Sequence, residues 1–469
     1  MAVEYDLVIV GGTPEGYSAA AEAIRYGARV ALILQDLEGE RSLLIHRGLL
    51  QSKASSAFAM PPAESSVTPW QWSQQRATLI ADTLTQDTAQ QLMVQGVDVI
   101  AERGQIMGDR PLTLATATRQ LTTRAVLVAT GNQFKPPHLP GLGTVPYDTP
   151  ITFWQRAQLP PSVVIVGSSP EGIVLAQWLA HQQVSVSLIT SNERLLNQED
   201  PAVSGWLVAQ LRADGVDLRL GAATVTVSYQ NLESAEPAIA VKLPNDVITA
   251  AALVLAPRPI PNTNDLGLEK CLSGDLPMTV NAFLQTEHPQ IYLCGAAIGG
   301  YELPAIARQE ARWAVQNALF WPRHRANYDT IPYDLPTQPP MARVGFTEPQ
   351  ARQRFSSDDI LVVRQSLYRN PRAQWQESTV GFCKLIGHRD GRLLGCHGVG
   401  PEASEWVQML AALMTQKTPW WRLANLPTLP YSLTELLRQA AQQWESDRWQ
   451  PGQWRRDWVE NWCNWRRSR

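Results

Sequence analysis

The sequence predicts an α/β chain with two nucleotide-binding-type βαβ domains followed by an α+β domain, and three observations carry that prediction. The first is an apolar run, Asp6-Leu7-Val8-Ile9-Val10, entering Gly11-Gly12-Thr13-Pro14-Glu15-Gly16, then a small-residue helix over 17–26 and a strand over 28–34. Strand, glycine turn, helix and strand together are the context that a dinucleotide fingerprint requires. The second is a later copy of the same skeleton. A strand over 163–166 enters Gly167-Ser168-Ser169-Pro170-Glu171-Gly172, an apolar helix runs to His181, and a strand covers 184–190. The third is a change of pattern after Phe346: strands over 360–367, 381–386 and 393–399, then a helix over 402–415.

Between the two fingerprints, 68–95 reads as a long helix and 126–131 as a strand ending in a glycine turn. The stretch Lys135-Pro136-Pro137-His138-Leu139-Pro140-Gly141 is a proline-rich crossover, and further boundaries fall at 257–263 and 321–333. The expected division is 1–145 with 270–330, 146–269, 331–440, and a tail over 441–469.

Composition narrows the function classes. With 40 basic and 43 acidic side chains and a net charge of −3, the chain of 469 residues lacks the basic footprint of a nucleic-acid binder. It has no run of about 18 apolar residues, so no transmembrane helix is expected. The first residues lead straight into a strand without a signal-peptide pattern, so a cytoplasmic protein is expected. The five cysteines, Cys271, Cys294, Cys383, Cys396 and Cys463, show neither CxxC nor CxxxxC spacing. That scatter argues against structural disulfides and against a metal site.

Further motifs accompany the fingerprints: Ala129-Thr130-Gly131, Arg194-Leu195-Leu196 through Glu199-Asp200-Pro201, Pro261-Asn262-Thr263, Ile291-Tyr292-Leu293-Cys294-Gly295, and Gly381-Phe382 through Gly400-Pro401-Glu402-Ala403-Ser404-Glu405. In this order, over about 4–440, the chain resembles the flavoprotein disulfide reductases, nearest the dihydrolipoamide dehydrogenase and mercuric reductase branches. The resemblance implies two Rossmann-like domains, one for FAD and one for NAD(P) inserted in it, and a C-terminal domain that makes a homodimer.

The resemblance also marks what has changed. Family members carry a CxxxxC pair just before a Ser-Lys-Ala helix. Here Ser52-Lys53-Ala54 is kept, and Leu44 and Leu49 stand where the two sulfurs belong. Thiol–disulfide exchange needs an attacking thiolate, which leucine cannot supply, so disulfide and mercury reduction are not expected. The family's acid–base histidine lies in a His-Pro-Thr-x-x-Glu motif, and the local sequence is Leu426-Pro427-Thr428-Leu429-Pro430-Tyr431-Ser432-Leu433-Thr434-Glu435. Tyr431 is the remaining candidate there, although a phenol with a pKa of about 10 is a poor base near neutrality. The better reading of it is a packed interface tyrosine. Lys53, by the resemblance, lies beside the flavin, but the glutamate that would pair with it is Val174. It reads either as a flavin-adjacent charge or as a solvated helix lysine.

For FAD the candidate residues are Gly11, Gly12, Thr13, Pro14, Glu15, Gly16, Asp36, Lys53, Ala129, Thr130, Gly131, Gly295 and Ala296. For NAD(P) they are Gly167, Ser168, Ser169, Gly172 and Arg194. Thr13 and Ser169 replace the glycine that lets backbone approach a pyrophosphate, although either hydroxyl could donate to a phosphate oxygen. Leu34 and Thr190 replace the ribose-binding acids, leaving Gln35 or Asp36 to reach the ribose, and Ala296 replaces the flavin aspartate. The expected activity is therefore FAD-dependent oxidation of NAD(P)H with a non-disulfide acceptor. The alternative is a redox-silent dimeric scaffold.

The tail holds Trp444, Trp449, Trp454, Trp458, Trp462 and Trp465, interleaved with arginines. Trp454, Trp458, Trp462 and Trp465 share one face of a helix. That face suits docking on the chain itself or across a dimer, a protein partner, or a membrane or nucleic acid, the last two diluted by Glu445, Asp447, Asp457 and Glu460.

Overall fold

The computed structural model describes residues 3–35, 42, 44–46, 48–49, 67–224, 226–230, 238–272, 279–300, 303–447 and 454–468. Asp36, Lys53, Trp449 and the other remaining positions lie outside the described residues. The chain divides into two units, Met1–Asn197 with Ser204–Asn327, and Gln198–Val203 with Tyr328–Arg469.

In the first unit the N-terminal apolar run forms β1 (Leu7–Val10), every residue of it buried, followed by α1 (Pro14–Arg25) and β2 (Val30–Ile33). A long helix, α2 (Pro69–Val94), starts at a Thr68–Gln71 capping box, a device that typically contributes about 0.5–2 kcal/mol. β3 (Asp98–Ile100) and β4 (Val126–Val128) follow. The second fingerprint gives β5 (Ser162–Val166), α3 (Pro170–His181) and β6 (Ser185–Ile189), joined by β7 (Asp217–Arg219) and β8 (Ala252–Leu255). β9 (Ile291–Leu293) and α4 (Pro304–Leu319) complete the unit's main frame.

Both sheets are parallel. The first has the order β9-β4-β1-β2-β3 and the second β7-β6-β5-β8. In each, strand order reverses beside the fingerprint strand, and open α/β sheets bind ligands at that crevice, outside the carboxyl ends of the strands. Gly11, Ala129-Thr130-Gly131 and Gly295 follow the ends of β1, β4 and β9, three adjacent strands. Their shared location is a consequence of topology.

The second unit is an antiparallel five-stranded sheet. Its strands are β10 (Tyr333–Leu335), β11 (Met341–Gly345), β12 (Ile360–Ser366), β13 (Phe382–His388) and β14 (Leu393–Val399), in the order β10-β11-β14-β13-β12. Helices α5 (Ala403–Thr415) and α6 (Glu435–Asp447) supply Trp406, Leu410, Leu436, Leu437 and Trp444 to its core. Gly398 makes room for this core, because a Cβ there would stand 1.9 Å from the Trp406 ring. Trp444 stacks on Trp421 with centroids 5.3 Å apart, so this first tryptophan of the tail is part of the fold.

Candidate functional site

The first cradle is built from backbone. Gly11 takes φ 122°, and a Cβ on it would lie 2.1 Å from the Ala129 carbonyl oxygen, so only glycine lets β1 and β4 close at this point. Thr13 caps α1: its Oγ1 accepts from the Gly16 N–H at 3.3 Å and donates to the Ala129 carbonyl at 2.8 Å. The hydroxyl that could have met a phosphate thus serves the turn. Pro14 occupies the first helical position, where a missing N–H costs nothing.

Glu15 changes the character of this cradle. It lies in the first turn of α1, 3 % exposed, with its Oε1 2.7 Å from where a Cβ on Gly295 would stand. Gly295, at φ 64°, donates its N–H to Glu310 Oε2 at 2.7 Å. Two carboxylates therefore flank the residue before Ala296. Burial, followed by the charges of Glu15 and Glu310, pushes the adjoining Cys294 thiol well above its usual range. A helix start favours negative charge, and here the chain itself provides it.

At the other end of the crevice Leu34 is buried and Gln35 takes φ 40°. The Gln35 carboxamide donates to the Gly104 carbonyl at 3.3 Å and accepts from the Gly104 N–H at 2.8 Å. The pair borders a cavity of about 590 Å³ lined by Arg103, Gln105, Thr116, Gln133, Asn262 and Asp265, among others. Gln35 is thus tied to backbone, while Asp36 is outside the described residues.

The backbone here fits a dinucleotide. The turn and packing glycines, Gly11 and Gly16, are kept although Thr13 replaces the close-approach glycine, Gly131 holds φ 69°, and Thr130 Oγ1 is buried with no hydrogen-bond partner among the described residues. Gly11–Gly16, Ala129–Gly131 and Gly295-Ala296 are the segments that would hold FAD.

The second cradle repeats the design. Gly167 takes φ 114°, with its Cβ position 2.1 Å from the Ala256 carbonyl oxygen, and Ser169 Oγ caps α3 by accepting from the Gly172 N–H at 3.2 Å. Thr190 Oγ1 and Asn192 Nδ2 both donate to Ser168 Oγ at 3.0 Å. The position of the ribose acid is thereby tied to the fingerprint loop. Arg194 donates to the Asn197 carbonyl at 2.5 Å.

Leu44 and Leu49 are both helical, and Leu49 is 1 % exposed. Between them His46 accepts through Nδ1 a hydrogen bond from Trp154 Nε1, inside a cluster in which Trp154 lies 4.9 Å from Trp178 and 5.8 Å from Trp70. Sequence reasoning missed this cluster. Its members come from four distant segments and share no period. It also missed the proximity of Cys383 and Cys396, which lie diagonally across β13 and β14, opposite Gly398 and Leu385, with sulfurs 3.9 Å apart and fully buried in the second unit.

In the second unit Tyr431 is 58 % exposed at φ 62°, its ring 5.2 Å from Trp375. Glu435 accepts from Thr428 Oγ1 at 2.6 Å and pairs with Arg438. Arg438, more than Thr428, holds its carboxyl below the usual range. Trp458, Trp462 and Trp465 form a stacked series along α7 (Trp454–Arg467) and are well exposed. Among the described residues no group of three or more His, Cys, Asp or Glu side chains could hold a metal ion, and no helix is long and apolar enough to cross a membrane.

Comparison with known proteins agrees with this frame. The dihydrolipoyl dehydrogenase of Bacillus subtilis is 27% identical over 456 residues, 90% of this chain and 94% of the relative. A soluble pyridine nucleotide transhydrogenase of a Marinomonas species is 26% identical over 435 residues, 88% of this chain and 91% of the relative. The Cu(II) complex of the HOCl-induced flavoprotein disulfide reductase RclA of Escherichia coli has the same fold, with a TM-score of 0.80 and 22% identity over 94% of this chain and all of that one. The pyridine nucleotide-disulphide oxidoreductase pattern matches residues 5–311 and the dimerisation domain of the same family residues 331–440. The family's flavoprotein members are consistent with FAD and NAD(P)H as cofactors, and the chain belongs to the pyridine nucleotide-disulphide oxidoreductases.

Proposed function

We propose that this protein is an FAD-dependent oxidoreductase that takes electrons from NAD(P)H and passes them to a non-disulfide acceptor: a quinone, oxygen or another nicotinamide. One observation carries the reading. The backbone cradle at Gly11, Ala129–Gly131 and Gly295 is kept, while the helix of the sulfur positions presents Leu44 and Leu49. Bound FAD would supply hydride acceptance and electron transfer. The chain supplies position, through its glycine turns, and the apolar surroundings of Leu49 and Trp154. A relative named as a transhydrogenase supports an acceptor other than a disulfide.

The test is a visible spectrum with flavin stoichiometry, then anaerobic NADH and NADPH, then quinone, oxygen, lipoamide and oxidised glutathione as acceptors. Bleaching by a nicotinamide and turnover with quinone or oxygen, but not with disulfides, is expected. A flavin that neither nicotinamide reduces would favour the second reading, a redox-silent dimeric scaffold. The Ser168–Thr190–Asn192 network across the second cradle and the exposed aromatic face of α7 support that alternative. A protein partner on α7 belongs to it.

A further inference from the structure

We propose that Glu15 and Gln35 set the affinity of the first cradle by standing in for parts of the dinucleotide, an inference that rests on the FAD reading above. Glu15 brings a buried carboxylate into the first turn of α1, against Gly295 and across that residue from Glu310. A pyrophosphate would use the same helix start. It would bring more negative charge to a place already flanked by two carboxylates, so Glu15 must swing away for it to dock.

Gln35 does the equivalent at the base end. Its carboxamide offers one acceptor and one donor side by side, and the Gly104 N–H and carbonyl engage both. An adenine edge offers the same pair, with N7 accepting and the N6 amino group donating. The carboxamide therefore satisfies the backbone contact that a base would make, beside a polar cavity of about 590 Å³. Gln35 is held at φ 40°, a left-handed conformation that an L side chain rarely adopts. Glu15 stands at the start of α1 and Gln35 beside the cavity beyond β2, and dinucleotide binding is an exchange against both.

The experiment uses the full chain freed of nucleotide and titrated separately with FAD and with ADP, which carries base and pyrophosphate but no flavin. Glu15→Gly is expected to tighten both ligands at least tenfold. Glu15→Gln, which removes charge but keeps shape, should fall between it and wild type. Gln35→Ala should tighten both several-fold. If folded Glu15→Gly and Glu15→Gln bind FAD and ADP no tighter than wild type, the Glu15 assignment is overturned; an unchanged or weaker Gln35→Ala overturns the Gln35 assignment. Tighter ADP binding in a protein whose flavin no nicotinamide reduces would uphold the exchange and overturn only the redox reading.

Discussion

Lys384 and Asp200 form a buried ion pair between segments 184 residues apart in sequence, with Lys384 Nζ 2.8 and 2.9 Å from the two carboxylate oxygens. Asp200 is fully buried, and Glu348 adds a second carboxylate, its Oε2 2.8 Å from the same ammonium. Burial alone would raise the Asp200 carboxyl, but the Lys384 hydrogen bond, the Glu348 N–H and smaller contributions hold it below its usual range. Removing one partner leaves an uncompensated buried charge, so Lys384→Met should destabilise by about 3–5 kcal/mol, and Lys384→Met with Asp200→Asn by less. Urea denaturation at neutral pH checks both.

His397 gives the protein an acid-sensitive point at higher pH than Asp200. Its ring is fully buried, and Nε2 lies 3.0 Å from the Phe346 carbonyl, which can only accept, so Nε2 carries the proton. Nδ1 has no hydrogen-bond partner among the described residues. Burial, the largest effect, pushes the pKa down to about 4; the Phe346 carbonyl, next in size, opposes it, and the weaker influences of Arg343 and Lys384 add to it while Asp200 opposes. The folded pKa lies below the unfolded one, so the unfolded chain takes the proton first. Stability is full above about pH 6.5 and falls by roughly 3 kcal/mol as pH drops towards 4. The Asp200 contribution is lost only at still lower pH. Urea midpoints measured across this window should show the slope in wild type and a flatter line in His397→Gln.

The thiols should divide by burial. Cys294, Cys383 and Cys396 are fully buried, while Cys271 and Cys463 are partly exposed. A thiolate must form before it reacts, and burial drives the Cys294 and Cys396 thiols well above their ordinary range. A chromogenic thiol reagent should modify Cys271 and Cys463 in the native protein. The other three should follow only after unfolding. Rapid native reaction of Cys383 or Cys396 would contradict their placement in the sheet core.

The frame was legible because it is local. β1, α1, β5 and α3 each follow from an apolar run, a glycine turn and a capping hydroxyl within about 20 residues, and the switch points follow from strand order. The chemistry was less legible because it is not local. Nothing near Gln35 announces Gly104, and nothing near Glu15 announces Gly295 or Glu310. The skeleton Pro-Glu-Gly is present in both fingerprints, and its glycine has a known place there. Its glutamate, buried in the first copy, is the feature that alters the site.

The tryptophan-rich C-terminus separates into two parts with opposite expectations. Trp444 is 2 % exposed, and its ring lies 5.0 Å from Trp420 and 5.3 Å from Trp421. Trp444→Ala should therefore cost about 3–5 kcal/mol, as for other large core aromatics. Trp458, Trp462 and Trp465 are 64 %, 48 % and 45 % exposed, so truncation after Asp447 removes little core. That truncation should change stability by no more than about 0.5 kcal/mol and leave the dimer expected from the C-terminal domain intact. Chemical denaturation and size-exclusion chromatography of the two variants check this. If truncation after Asp447 dissociates the protein, the aromatic face of α7 is a contact between copies. If it destabilises the protein as much as Trp444→Ala does, α7 is docked on its own chain.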